Sequence, residues 1–183
     1  MRYLSRLCPL VALLVSAATV TSATGAQAAA TPAIVPLVPA RILETRQGPN
    51  DKTVDGQFQG SGVVAAGAEV ALVVEGRGGV SGAAAVMLNV TAVGPEAAGF
   101  LTVYPCGSVR PLSSSVNYLA GQVVPNAVLA KVGDGGKVCI WTKSATHVLA
   151  DVTGFVPSGG GVVPVVPARI LETRQGPNDK TVD

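Results

Sequence analysis

Histidine, aromatic side chains and charge are all scarce in this chain, and each shortage excludes something. His147 is the single histidine, and no C-x-x-C pair accompanies it. That disfavours a four-ligand zinc site, which draws mainly on closely spaced cysteines and histidines. Charged residues amount to 13%, and the basic ones are scattered rather than gathered into a patch or stripe. That argues against the electrostatic footprint of a nucleic-acid binder. Ser113, Ser114 and Ser115 stand in no G-x-S-x-G turn, so a serine nucleophile lacks its elbow. Past the first thirty residues, no apolar run approaches the ~20 residues of a membrane-spanning helix.

Alanine, valine and glycine fill the space left by those absences. Valine-rich runs broken by glycine and proline point to an all-β domain with many turns. The N-terminal thirty residues read as a processing segment. Arg2 and Arg6 form a basic start, Leu10 to Val20 a short apolar stretch, and Ala26-Gln27-Ala28 and Ala28-Ala29-Ala30 are small-residue cleavage sites. An exported chain is expected, with no membrane segment after cleavage; an uncleaved anchor is the alternative. Without Arg2 and Arg6, basic and acidic residues balance at 11 each.

One stretch occurs twice. Residues 35–55 read VPLVPARILETRQGPNDKTVD, and residues 163–183 repeat them with Val165 in place of Leu37. The offset of 128 residues is that of a whole domain rather than a solenoid repeat. The expected organisation is a secretory signal over 1–30, a β domain over 31–156, a Gly/Pro/Ser linker over 157–162, and the truncated start of a second repeat over 163–183. Strands are expected at 41–46, 68–75, 84–93, 99–104, 114–118, 125–132, 137–142 and 147–156. In the first, Ile42, Glu44 and Arg46 should face one way and Arg41, Leu43 and Thr45 the other. Gly133-Asp134-Gly135-Gly136 reads as a hairpin turn between its flanking strands. The expected fold is an antiparallel, jelly-roll-like β-sandwich, with a small β-barrel as runner-up.

The segments PARILETR (39–46), AVMLNVTAVGPEAAGFLTVYPCG (85–107), RPLSSSVNYLAGQVVPNAVLAKVGDGGKVCIW (110–141) and ATHVLADVTGFV (145–156) resemble a repeat domain abundant in secreted actinobacterial proteins. There the blocks look like PARLLDTR, VLNVT, FLTVYP, SNLNY, GQTVPN, VKVG and VDVAGYF, in this order. Glu44 stands where that family often has Asp, and Phe155 where it often has Tyr. The resemblance implies a β-rich accessory or cell-surface module, found alone, in tandem or appended to secreted hydrolases, and not an enzyme.

Several residues invite a specific role. Cys106 and Cys139 remain after processing, and in an oxidising compartment they read as a disulfide; a metal pair is the alternative. Asp151 lies between apolar neighbours and needs a partner, for which Arg41 is the first choice and Arg46 the second. His147 and Asp151, four apart on a strand, share a face, but catalysis would also need a positioned nucleophile. Asn50, Asp51 and Asp55 are weak calcium candidates from a turn-rich loop, matching no established calcium loop. Trp141 reads first as a core aromatic, on the same face as Cys139, and second as a contact for sugar. No cofactor is expected.

The functional expectation is a secreted, non-catalytic module for adhesion or spacing at the cell surface. A carbohydrate- or cell-wall-binding appendage of a hydrolase is the alternative, and a small hydrolase in its own right a third. Cell-wall polysaccharide or another surface protein would be the partner. Self-association through residues 166–174, an orphan copy of the first strand, is a further expectation.

Overall fold

Eight strands and no helix build the domain in the computed structural model, which describes residues 32–176 and Thr181. The expected signal segment and the last part of the second repeat lie outside the described residues. The strands are β1 (Val35–Glu44), β2 (Glu69–Val73), β3 (Ala83–Val93), β4 (Gly99–Pro105), β5 (Val116–Tyr118), β6 (Val123–Lys131), β7 (Lys137–Thr142) and β8 (His147–Pro157). They form two four-stranded antiparallel sheets, β1-β8-β3-β6 and β2-β7-β4-β5. The pairs 1–8, 2–7, 3–6 and 4–5 are those of one long antiparallel hairpin rolled into two layers. This is the jelly-roll form of the sandwich, with no closed barrel among the described residues.

Two-residue periodicity explains why the layers close on each other. In β3, Val86, Leu88, Val90 and Ala92 are buried, while Met87, Asn89 and Val93 on the other face are half-exposed. Leu101 and Val103 of β4 and Val138 and Ile140 of β7 meet them from the second sheet in one continuous core. Each such valine, leucine or isoleucine stabilises the fold by about 1.5–3 kcal/mol relative to exposure. Tyr118 carries a hydroxyl into this core and satisfies it with Thr142 Oγ1 at 2.8 Å and the Ser144 backbone N–H at 3.2 Å.

Apart from strand ends that shift by one or two residues, three details differ from expectation. The first strand starts at Val35, not Arg41, and takes in Pro36 and Pro39. Prolines are tolerated because β1 is an edge strand, hydrogen-bonded in the ladder only to β8. Alternation also fails there: Ile42, Leu43 and Glu44 are all buried, because the pairing shifts register between Arg41 and Leu43. Finally, residues 133–136 do not close a hairpin within a sheet. β6 pairs with β3 and β7 with β2 and β4, so this turn carries the chain from one layer to the other. Gly133 permits the crossing, since a Cβ there would lie 2.2 Å from the Cys106 carbonyl oxygen.

A disulfide joins Cys106, just past β4, to Cys139 in β7, with a Cα–Cα separation of 5.0 Å. The bridge spans 33 residues, which in the chain-entropy model is worth about 3–4 kcal/mol. Gly154 in β8 lets the edge strand come close: a Cβ there would sit 2.9 Å from the Val35 carbonyl oxygen.

Candidate functional site

Outward-facing residues of the second sheet make the most site-like surface. Val138, Ile140 and Thr142 of β7 point inward, so Cys139 and Trp141 point out, where Trp141 is half-buried. Its strand partners are Glu69 in β2 and Thr102 in β4. The Trp141 indole N–H donates to the Gly67 carbonyl at 2.9 Å, which fixes the ring. Phe100 lies against it, with centroids 5.5 Å apart and planes tilted by 48°. The Arg110 guanidinium sits 3.9 Å above the Trp141 ring, and the Lys143 ammonium lies 5.9 Å from the Phe100 ring centre. Between these groups, Leu112 and the second-repeat residues Arg169 and Arg174 lies a cleft of about 340 Å³. Trp141, expected in the core, thus lies outside it, because its strand neighbours Ile140 and Thr142 take the inward face. It packs on a satellite cluster formed by Tyr104 and the disulfide.

Acid–base chemistry at the far end of this surface is muted. The Tyr104 hydroxyl donates to the Glu69 carboxylate. Burial, then the hydrogen bond and negative charge of Glu69, push the phenol up to about 12, so it stays protonated at neutral pH.

A second polar constellation closes the edge of the first sheet. Glu44 is fully buried, and its carboxylate is clamped by Arg41 Nη1 at 2.9 Å and Arg46 Nη2 at 2.8 Å. Burial alone would raise the pKa of this carboxyl, but hydrogen bonds from the Arg46 side chain and backbone outweigh it and hold the carboxyl below its ordinary value. Arg41 also donates through Nε to Asp151 Oδ1 at 2.8 Å, and Arg46 lies 3.1 Å from Asp51. The geometry is that of a structural ion network with each carboxylate facing a guanidinium.

The loop acids are not gathered for a cation. Asp55 accepts from Arg77 Nε at 2.7 Å and Nη2 at 2.9 Å, which holds its carboxyl well below the usual range. Asp51 faces Arg46, and Asn50 is exposed. No group of three or more His, Cys, Asp or Glu able to hold a metal occurs among the described residues. His147 heads β8 in the first sheet with Nδ1 3.1 Å from Thr45 Oγ1, while Ser113–Ser115 lead into β5 in the second sheet. Ser115 is itself engaged, accepting from the Val103 backbone N–H at 3.0 Å.

Reasoning from sequence passed over Arg77, only 5% exposed and stacked 4.8 Å from the Phe58 ring, because it sits in a glycine-rich run that reads as loop. It also missed the gathering of Phe100, Arg110 and Lys143 around Trp141. Their strand and loop positions converge only once the β4–β7 register is known. Comparison with family models, curated proteins and solved structures returns no match.

Proposed function

We propose that the chain is an exported, non-catalytic adhesion module that holds acidic polysaccharide at a cell surface through the Phe100–Trp141 cleft. The observation that carries this reading is the Arg110 guanidinium stacked on Trp141 beside Phe100, with Lys143 at the rim. A stacked guanidinium has one face on the ring and keeps its in-plane N–H donors at the edge, matched to a carboxylate or phosphate. Phe100 supplies the apolar wall that a sugar ring covers. The signal-like start, the disulfide and the resemblance to secreted actinobacterial repeat domains support an extracellular setting.

Trp141 is the single tryptophan, so its fluorescence reports on the cleft directly. Titration with a soluble polyuronate should change the emission, with an affinity that falls as salt rises. Arg110→Ala/Lys143→Ala should weaken binding at least tenfold, and a neutral glucan should leave the signal flat. If neither the polyuronate nor insoluble peptidoglycan binds the chain, adhesion through this cleft is wrong. The chain would then read as a spacer, which the repeated opening segment favours.

A further inference from the structure

The edge of β8 is a slot, and the chain carries two nearly identical segments that fit it. Residues 35–46 occupy it as β1. Residues 163–174 have the same sequence but for Val165, and they form no strand. Ile170 and Leu171 are 87% and 75% exposed, whereas Ile42 and Leu43 in the slot are 0% and 1% exposed. What the slot recognises is present in both. Asp151 takes an arginine, the core takes the Ile-Leu pair, and the Val148 backbone N–H donates to a threonine hydroxyl, from Thr45 at 2.9 Å. The unused copy is already shaped for this role. Glu172 is clamped by Arg169 Nη1 at 2.9 Å and Arg174 Nε at 2.9 Å, as Glu44 is by Arg41 Nη1 at 2.9 Å and Arg46 Nε at 2.9 Å.

The unused copy is also within reach. β1 enters the slot antiparallel to β8, with Val35 opposite Phe155. Residues 156–162, with Gly159, Gly160 and Gly161 among them, separate Phe155 from Val163. A connection of this length closes a hairpin that would bring Val163 opposite Phe155, in the direction β1 already runs. The turn begins beside the slot's entrance: a Cβ at Gly160 would lie 3.3 Å from the Pro32 carbonyl oxygen. Main-chain bonds that cover the outer edge of β1, from the Glu44 N–H to the Phe58 carbonyl and from the Gly60 N–H to the Glu44 carbonyl, can be made by any strand in the slot.

We infer that the β8 edge is an exchange site, and that residues 163–174 are its second occupant, folding back as a hairpin on β8 of the same chain and displacing residues 35–46. The two states bury nearly the same side chains, so the balance between them rests on the connections and on Leu37 against Val165. Leaving the second sheet costs the tail the Arg169 hydrogen bond to the Leu112 carbonyl, and it clears Arg169 and Arg174 from the cleft beside Trp141.

Three aspartate variants of the full chain test this: Ile42→Asp, Ile170→Asp and the double variant. Ile170→Asp should melt like the parent. Ile42→Asp should melt within about 5 °C of it, because the second copy takes over, and the double should fall by about 15 °C or more, or fail to fold. Tryptic cleavage should move in step, with Arg169 and Arg174 cut in the parent, and Arg41 and Arg46 cut instead in Ile42→Asp. If Ile42→Asp is lost as completely as the double, or if the double is as stable as the parent, exchange does not occur. A rescue of Ile42→Asp that grows with protein concentration, with dimers in sedimentation, would overturn the hairpin and assign the strand to a second copy of the chain.

Discussion

The same twelve residues, but for one, appear in two environments in this molecule. In β1 the sequence is a strand with a buried Ile-Leu-Glu run; in residues 163–174 it is an extended segment with the Ile-Leu pair in solvent. Yet the arginine–glutamate–arginine clamp is the same in both, down to the Arg46 and Arg174 backbone N–H bonds to the glutamate at 3.0 Å. The clamp is therefore local, written into R-x-x-E-x-R, whose partners are two and three residues apart. Strand formation is not local; it comes from β8, which supplies the ladder, the core and Asp151. A motif that preshapes itself before docking leaves less conformational entropy to lose when it enters the sheet.

The largest effect expected from breaking this comparison comes from removing the clamp in both copies at once. In Glu44→Ala/Glu172→Ala, whichever segment fills the slot brings two guanidinium groups without their buried carboxylate. Breaking a fully buried pair costs about 3–5 kcal/mol; here the arginines are about one-third exposed, so about 2–3 kcal/mol is expected. Urea denaturation of the double variant against Glu172→Ala alone measures it. Glu172→Ala should match the parent, and an equal loss in both would mean that the second copy, not β1, supports the fold.

Much of the sandwich is readable in the sequence, and where reading fails the reasons are physical. Alternation marks β3 well because Val86, Leu88 and Val90 are inward and one sheet face is buried. It fails at Ile42-Leu43-Glu44, because a register shift is set by the partner strand and leaves no trace in the residues themselves. Gly133-Asp134-Gly135-Gly136 marks a reversal correctly, but glycines encode a turn's backbone angles and not the sheet to which the next strand goes. The same limit hides the candidate site. Trp141 can be singled out from sequence and placed on one face with Cys139. Arg110, in the connection after β4, reaches it only through the β4–β7 pairing. The Arg41–Asp151 contact is legible in the sequence because an acid inside an apolar strand demands a cation.

Asp151→Ala probes the slot rather than either occupant, so neither copy can compensate. Arg41 and Asp151 are 31% and 21% exposed, and solvent screening limits their pair to about 1 kcal/mol, or about 3–5 °C in melting temperature for a domain of this size. A larger loss would show that Asp151 also holds β8 in register with β3, where Asn89 is its partner. An unchanged melting temperature would mean that the contact stabilises nothing.

Acid pH separates the two copies with the smallest effect. Glu44 and Glu172 are both held below the usual carboxylate range, Glu172 at about 2 chiefly through hydrogen bonds from Arg174. A carboxyl whose folded pKa is depressed contributes stability above its unfolded pKa, near 4.5, and loses it as pH falls through the folded value. That linkage requires the depression to vanish on unfolding. For Glu44 it does in part, because burial in the sandwich excludes water from the clamp and Asp151 holds Arg41 in place. The Glu172 clamp stands outside the sheets and its partners lie within three residues, with the Arg169 hydrogen bond to the Leu112 carbonyl tying it to the rest of the fold, so it should contribute little to the slope. The stability-versus-pH curve of Glu172→Gln should therefore superimpose on the parent between pH 5 and pH 2, while Glu44→Gln/Glu172→Gln should be flatter below about pH 4.5. A slope changed by Glu172→Gln alone would mean that the second copy is docked in the folded protein, and that the contrast between the two segments is smaller than their exposure suggests.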